Sequence, residues 1–150
     1  MNRPLLRGVP VLVLGLALAR AVLGRRFVAV TVRGASMEPT YRHGDRVLVR
    51  RTAVAGRGQV VVVGEGGAAH PPLGSRPWQI KRVAGISGDP VPRECASALT
   101  GLRPSDRVPD GKLVLLGDNP RVSVDSRQQG YFPADWVLGT VIRPLSGGSR

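Results

Sequence analysis

At 150 residues the chain is long enough for one domain with a real core. Glycine (20) and proline (13) are frequent and aromatic residues make up only 4%, a balance that favours short strands and turns over long helices. The net charge of +12 points to an anionic partner, nucleic acid or a lipid surface. Nucleic acid is disfavoured, because the arginines stand singly or in pairs without interleaved aromatics to stack on bases and without helix-turn-helix or zinc-finger spacing.

In chain order, residues 1–8 form a short basic tail carrying Arg3 and Arg7. Residues 9–24 are apolar except for Arg20. As a helix, about 16 residues reach about 24 Å, slightly less than a hydrocarbon core, and Arg20 lies near one end where it can snorkel. Three readings compete for this stretch: a transmembrane anchor, which is preferred; a cleavable signal peptide, with Ala17-Leu18-Ala19 as a small-x-small site; and a buried core helix. Basic residues flank it on both sides, so charge does not settle its orientation.

From Phe27 the pattern becomes β. Strands are expected at 28–33, at 46–50 after the His43-Gly44-Asp45 turn, at 59–63, at 78–83, at 112–116 and at 137–142. The Val60–Val63 run is apolar throughout and reads as covered on both faces. Residues 64–77 read as a loop, 91–111 as irregular, and 146–150 as a frayed tail. The fold class is therefore mostly β: a compact antiparallel barrel or sandwich at residues 27–145, behind one N-terminal membrane helix.

Three polar clusters punctuate the strands. Ser36 lies where the first strand stops and a turn constrained by Pro39 begins. Lys81 lies inside an apolar strand. It is one of only two lysines, in a chain that otherwise uses arginine for positive charge. The third cluster runs from Gly117 to Arg127. Each alone is more readily an ordinary turn or surface feature. Together they suit a serine–lysine dyad: a hydroxyl needs a base, and a lysine buried among apolar residues can become neutral, whereas arginine cannot. A hydroxyl from the third cluster would direct the amine, and Asp125 would pair with Arg127. The single Cys95 allows no intramolecular disulfide and His43 and His70 show no ligand spacing, so neither metal nor cofactor is expected.

Gly34-Ala35-Ser36-Met37-Glu38-Pro39-Thr40 resembles the nucleophile box of type I signal peptidases, and Gly44-Asp45-Arg46-Val47-Leu48-Val49 resembles the strand box that follows it. Lys81 to Asp89 resembles the box of the lysine base. Val108-Pro109-Asp110-Gly111, Gly117-Asp118-Asn119 and Ser123-Val124-Asp125-Ser126-Arg127 resemble the last box. The resemblance implies a membrane-bound serine endopeptidase of the plasma membrane. It would span once, place its catalytic domain outside the cytoplasm and cut signal peptides from exported precursors after small residues. It further implies Ser36 as nucleophile, Lys81 as general base and Ser123 as the serine that orients it, with Arg82, Asp118, Asp125 and Arg127 in supporting positions. The edges beside the dyad are the expected substrate groove, with Val32, Gly34, Ala35, Met37, Gln79 and Val83 as contacts. Partners would be exported precursors and membrane lipid. Departures at Gly34, Ser87 and Pro120, and the absence of a large inserted β-domain, look closer to small actinobacterial or organelle members. A maturation protease with one or a few dedicated substrates, for example a nickel superoxide dismutase or a secreted peptide, is the alternative. Two rivals rank well below: a basic β-domain that binds nucleic acid or anionic lipid without chemistry, and a self-cleaving relative of the SOS-response repressors.

Overall fold

The computed structural model describes residues 24, 26–64, 78–96 and 106–146. The expected tail at 1–8 and almost all of the 9–24 anchor lie outside these residues, as do nearly all of the 64–77 loop (with His70) and nearly all of the 146–150 tail. Among the described residues no helix is long and apolar enough to cross a membrane.

Among the described residues seven strands form in chain order: β1 Phe27–Thr31, β2 Arg46–Arg51, β3 Val60–Val63, β4 Gln79–Gly85, β5 Lys112–Leu116, β6 Phe132–Pro133 and β7 Val137–Ser146. They lie in the order β1-β2-β7-β3-β4-β5-β6, and every pairing is antiparallel. The expected barrel-or-sandwich domain is thus one curled sheet rather than two stacked ones. The curl is visible in a single hydrogen bond: Asn119 N–H, just past β5, donates to the Ser36 carbonyl, just past β1, at 2.9 Å. Those strands stand near opposite ends of the order, so the sheet must bend round for the two loops to meet.

Local sequence explains the strands. β2 alternates exposed arginines with buried Val47 and Val49, as a half-covered strand must. All four valines of β3 are buried, because β7 and β4 flank the strand and apolar clusters cover both of its faces. Val60 and Val62 join Val32, Met37, Val47, Val49, Ile80 and Leu138 on one side; Val61 and Val63 join Val83, Leu113, Leu115, Phe132 and Val137 on the other. Gly139 permits the close approach of β7 to β2, since a Cβ there would overlap the Arg50 carbonyl.

Three features depart from the sequence expectation. The irregular 91–111 stretch holds a short helix, α1 (Arg93–Ala96), whose buried Cys95 packs with Val91, Val108 and Val114. The polar turn after β5 contains a second helix, α2 (Ser126–Gln129), followed by the two-residue β6. Finally, β7 runs four residues further than expected, through two register shifts against β2. One-turn helices and bulged strands lack the periodicity from which they could be read.

Candidate functional site

The loop after β1 is tied down from three sides. Val32 exchanges backbone hydrogen bonds with the 44–45 turn: its N–H donates to the Asp45 carbonyl and its carbonyl accepts from Gly44. Gly34 has φ +83°, a conformation that glycine adopts without strain, and its N–H donates to His43 Nδ1 at 3.1 Å. His43, exposed in the turn before β2, therefore anchors the entry to the Ser36 turn. Asn119 clamps the exit: its N–H takes the Ser36 carbonyl and its Nδ2 donates to the Ala35 carbonyl at 3.2 Å. Further on, Thr40 Oγ1 donates to Asp118 Oδ2 at 2.5 Å. Asp118 in turn accepts a two-pronged contact from Arg82 (Nε 2.8 Å, NH2 2.7 Å), and Arg82 also donates to the Gly58 carbonyl. A bidentate guanidinium–carboxylate pair resists rotation as well as separation, so β4, the 117–120 turn and the Ser36 loop are held in register.

Lys81 is buried on β4, opposite Val61 of β3. Its Nζ donates to Ser123 Oγ at 3.0 Å. Ser123 Oγ donates in turn to Asp125 Oδ2 at 2.6 Å, which leaves the serine oxygen as an acceptor toward the lysine. Asp125 is fully buried and saturated: it accepts from Gly117 N–H, from Arg127 N–H and from Arg127 Nε and NH2 at 2.9 and 2.6 Å. It also caps α2, with Gln128 Oε1 returning the bond to the Asp125 N–H at 3.0 Å. Ser126 Oγ, one residue on, accepts from Leu115 N–H at 2.9 Å. Side chains thus satisfy the end of β5 where no strand continues alongside it.

The electrostatics follow from burial and neighbours. Burial is the dominant influence on Lys81 and lowers its pKa; the Asp125 carboxylate pulls it back up, and Arg127 lowers it further. For Asp125, burial is the largest single influence and opposes the charge. The hydrogen bonds from Arg127, Gly117 and Ser123 together outweigh it and hold the carboxyl at about 2, against an ordinary 3.8. The sign of the linkage is then set. A depressed carboxylate stabilises the fold above its unfolded pKa, and that contribution is lost as pH falls through the folded value. The parent should therefore lose stability progressively from about pH 4 down to about pH 2. Asp125→Asn should be less stable at neutral pH and lose less stability than the parent across that acid window, with Asp118, whose carboxyl Arg82 also holds low, supplying the remainder, as measured by denaturant unfolding at each pH.

Gly117 is the feature that brings the two halves together. A Cβ at this position would lie 2.6 Å from the Ser36 carbonyl oxygen, 2.6 Å from Ser123 Cβ and well inside contact with Ser123 Oγ. The turn that carries Ser36 and the loop that carries the lysine's partner are thus packed against the same hydrogen-sized gap. Sequence reasoning placed Gly117, Asn119, Thr40 and Ser126 inside the boxes but gave them no role. Gly117 and Asn119 flank Asp118 in a recognisable turn, but nothing local says which distant loop they meet.

The structure therefore brings Ser36, Lys81, Ser123, Asp125, Arg127, Arg82 and Asp118 into one neighbourhood. The expected substrate contacts divide. Gly34 is exposed, and Ala35 and Gln79 are half-buried. Val32, Met37 and Val83 lie in the core at 1%, 0% and 1% exposure, and the N–H and carbonyl of Val83 are taken by Gln59 and Gly58. These three shape the site from behind and present no surface to a substrate. Cys95 is buried and burial, chiefly, pushes its thiol up to about 11, which makes it unreactive packing. Among the described residues no cluster of His, Cys, Asp and Glu could hold a metal.

The chain matches the family described as signal peptidase, peptidase S26, over residues 5–97 and 92–145. It is 29% identical to signal peptidase I of Bacillus amyloliquefaciens over 157 residues, covering 83% of this chain and 80% of that protein. It is 27% identical to signal peptidase IB of Staphylococcus aureus over 148 residues, covering 74% and 73%. Among solved structures, a signal peptidase I from Enterococcus faecalis V583 covers 78% of this chain and 93% of its own at 22% identity, with a TM-score of 0.24. With the match extending over nearly the whole chain, the chain belongs to the signal peptidase family and is a peptidase.

Proposed function

We propose that the chain is a membrane-anchored serine endopeptidase that removes signal peptides from exported precursors by acyl transfer, with Ser36 as nucleophile and Lys81 as general base. The observation that carries this reading is the buried Lys81, which donates to a serine that is itself committed to Asp125. A neutral lysine with one N–H given to Ser123 keeps its lone pair for another hydroxyl, and the Ser36 turn, packed against the same Gly117 gap, is the candidate to supply one.

In the first step Lys81 accepts the Ser36 proton as Oγ adds to the scissile carbonyl. Collapse of the tetrahedral species transfers that proton to the departing amine and leaves an acyl-enzyme on Ser36. Water then adds with Lys81 again as base, releasing the signal peptide and the free serine. In this reading the Ser36 N–H contributes to the oxyanion hole; Gly34 offers no side-chain donor, so the rest must come from backbone or another group. The substrate adds as an extended strand. The candidate edges are Gly34-Ala35 and the β5-facing side of Gln79–Lys81, since β5 pairs with β4 only from Arg82 onward. Alternate substrate side chains then point into shallow pockets that admit alanine. In this arrangement residues 27–145 are the catalytic domain, behind the 9–24 anchor and outside the cytoplasm.

The test is cleavage of a purified precursor carrying Ala-x-Ala by the full chain in detergent, with product masses fixing the bond cut. Cleavage after the second alanine is the expected result, and replacing either alanine by a bulky residue should slow it at least about tenfold. No cleavage, or cleavage indifferent to both positions, would refute the reading.

A further inference from the structure

Strand β1 ends the sheet, so among the described residues one of its edges has no strand beside it. Its ladder with β2 continues one residue past Thr31. The Val32 N–H donates to the Asp45 carbonyl at 2.8 Å, and the Val32 carbonyl accepts from Gly44 N–H at 2.9 Å. In an antiparallel ladder the N–H and carbonyl of one residue point to the same side, and those of its neighbours to the other. The backbone groups of Thr31 and Arg33 therefore face the free edge. Gly34 turns back and gives its N–H to His43 Nδ1. An extended peptide that adds to this edge ahead of Ser36 thus pairs with Arg33.

Side-chain direction follows the same alternation. Val32 is buried and packs with Val47, Val49, Val62 and Ile80, whereas Thr31 and Arg33 are exposed. Paired residues of neighbouring strands project from the same face. Substrate side chains on the face of Val32 meet the core and must be small, which suits the two alanines of Ala-x-Ala. The residue between them projects on the face of Arg33. The other arginines beside the site are committed: Arg82 is bound to Asp118 and Arg127 to Asp125. Arg33 has no ion pair among the described residues, so its guanidinium is available to a carboxylate that arrives with the substrate.

We propose that Arg33 selects an acidic side chain at the middle position of Ala-x-Ala. The proposal rests on the cleavage reading given above and adds the charge of the preferred substrate to it. An exposed charge pair shifts an equilibrium by up to about fivefold. Exchanging glutamate for lysine loses that attraction and adds a repulsion, so a ratio of about tenfold is expected. The experiment measures kcat/KM of the full chain in detergent, at about 0.1 M salt, on precursors carrying Ala-Glu-Ala, Ala-Gln-Ala and Ala-Lys-Ala. The glutamate precursor should be cut about tenfold more efficiently than the lysine one, with glutamine between, and about 0.5 M salt should compress the series. Arg33→Gln should bring the glutamate-to-lysine ratio close to one, and Arg33→Glu should reverse it. Both rates come from the same enzyme, so a partial loss of folded protein scales them together and leaves the ratio unmoved. Arg50→Glu makes the same change in net charge, but Arg50 pairs with Phe27 at the far end of β1, about 20 Å from Arg33 and about two screening lengths away. It should keep the glutamate preference. A ratio near one in the parent overturns the proposal. So does a glutamate preference that survives in Arg33→Glu, which would assign the selection to Arg42 or His43 on the adjoining turn. If none of the three precursors is cut, the cleavage reading falls and this proposal with it; if all three are cut at one rate, this proposal alone is lost.

Discussion

Ser36→Ala and Lys81→Met should each lower the turnover of an Ala-x-Ala precursor by more than about ten-thousandfold, while both proteins stay folded. Residues that act as one unit lose nearly the whole chemical step when either is removed, so the double variant should be no slower than the worse single one. Stability separates catalysis from structure. Lys81 sits buried with its pKa lowered chiefly by desolvation, so the folded protein is penalised whenever the lysine carries a proton. For a base with a depressed pKa, stability is fully present above the unfolded value and is lost as pH falls through the folded one. Methionine removes that penalty at similar volume, so Lys81→Met should be at least as stable as the parent at neutral and acid pH, judged by thermal melting. A Lys81→Met protein that unfolds would instead make the lysine structural. The parent's kcat/KM should also rise with pH through a single ionisation lying below the ordinary lysine range, because only the neutral amine accepts the Ser36 proton. The absence of that acid limb would exclude Lys81 as the base.

Gly117→Ala should damage both the rate and the fold, because the added methyl group has no room beside the site. The added Cβ would fall 2.6 Å from the Ser36 carbonyl oxygen, which is backbone, and would overlap Ser123 Oγ. Neither neighbour can step aside freely: the Ser36 carbonyl is held by Asn119 and Ser123 by Lys81 and Asp125. Overpacking of this kind costs about 1–3 kcal/mol. Its larger effect should be kinetic, because an ångström of displacement between nucleophile and base can cost about a hundredfold in rate. The expected result is a fall of at least about a hundredfold in kcat, with a melting temperature lowered by several degrees. Gly64→Ala is the control: its Cβ meets nothing within 4 Å, so rate and stability should barely change. Equal effects of the two substitutions would show that the Gly117 gap does not position the site.

Much of the site was legible because its signals are local. A hydroxyl before a proline-constrained turn, a lysine within an apolar strand and the Gly117-to-Arg127 cluster are short-range patterns, and a chain that spends arginine freely makes Lys81 conspicuous. The Asp125–Arg127 pair was also within reach, being two residues apart, and the structure shows it at 2.6 Å. What was not legible depends on partners that are distant in sequence. Two serines three residues apart, Ser123 and Ser126, are chemically alike; only the cap at Asp125 turns one toward Lys81 and the other toward Leu115 N–H. Val32, Met37 and Val83 sit beside site residues in sequence, but strand alternation and the curl of the sheet send them into the core.

By itself, then, the sequence determined six of the seven described strands, their inward and outward faces, the order of the polar clusters and the one lysine that stands out as a candidate base. Alternation and turn chemistry operate over a few residues, and no tertiary contact is needed to read them. The tertiary structure alone decided that the loop after β1 meets the loop after β5, that Asn119 and Gly117 join them, and that Thr40, Asp118 and Arg82 lock the join. Those contacts bridge up to 84 positions along the chain. They exist only because a seven-stranded sheet bends far enough to bring its first strand back toward its sixth, and no window of sequence contains that bend.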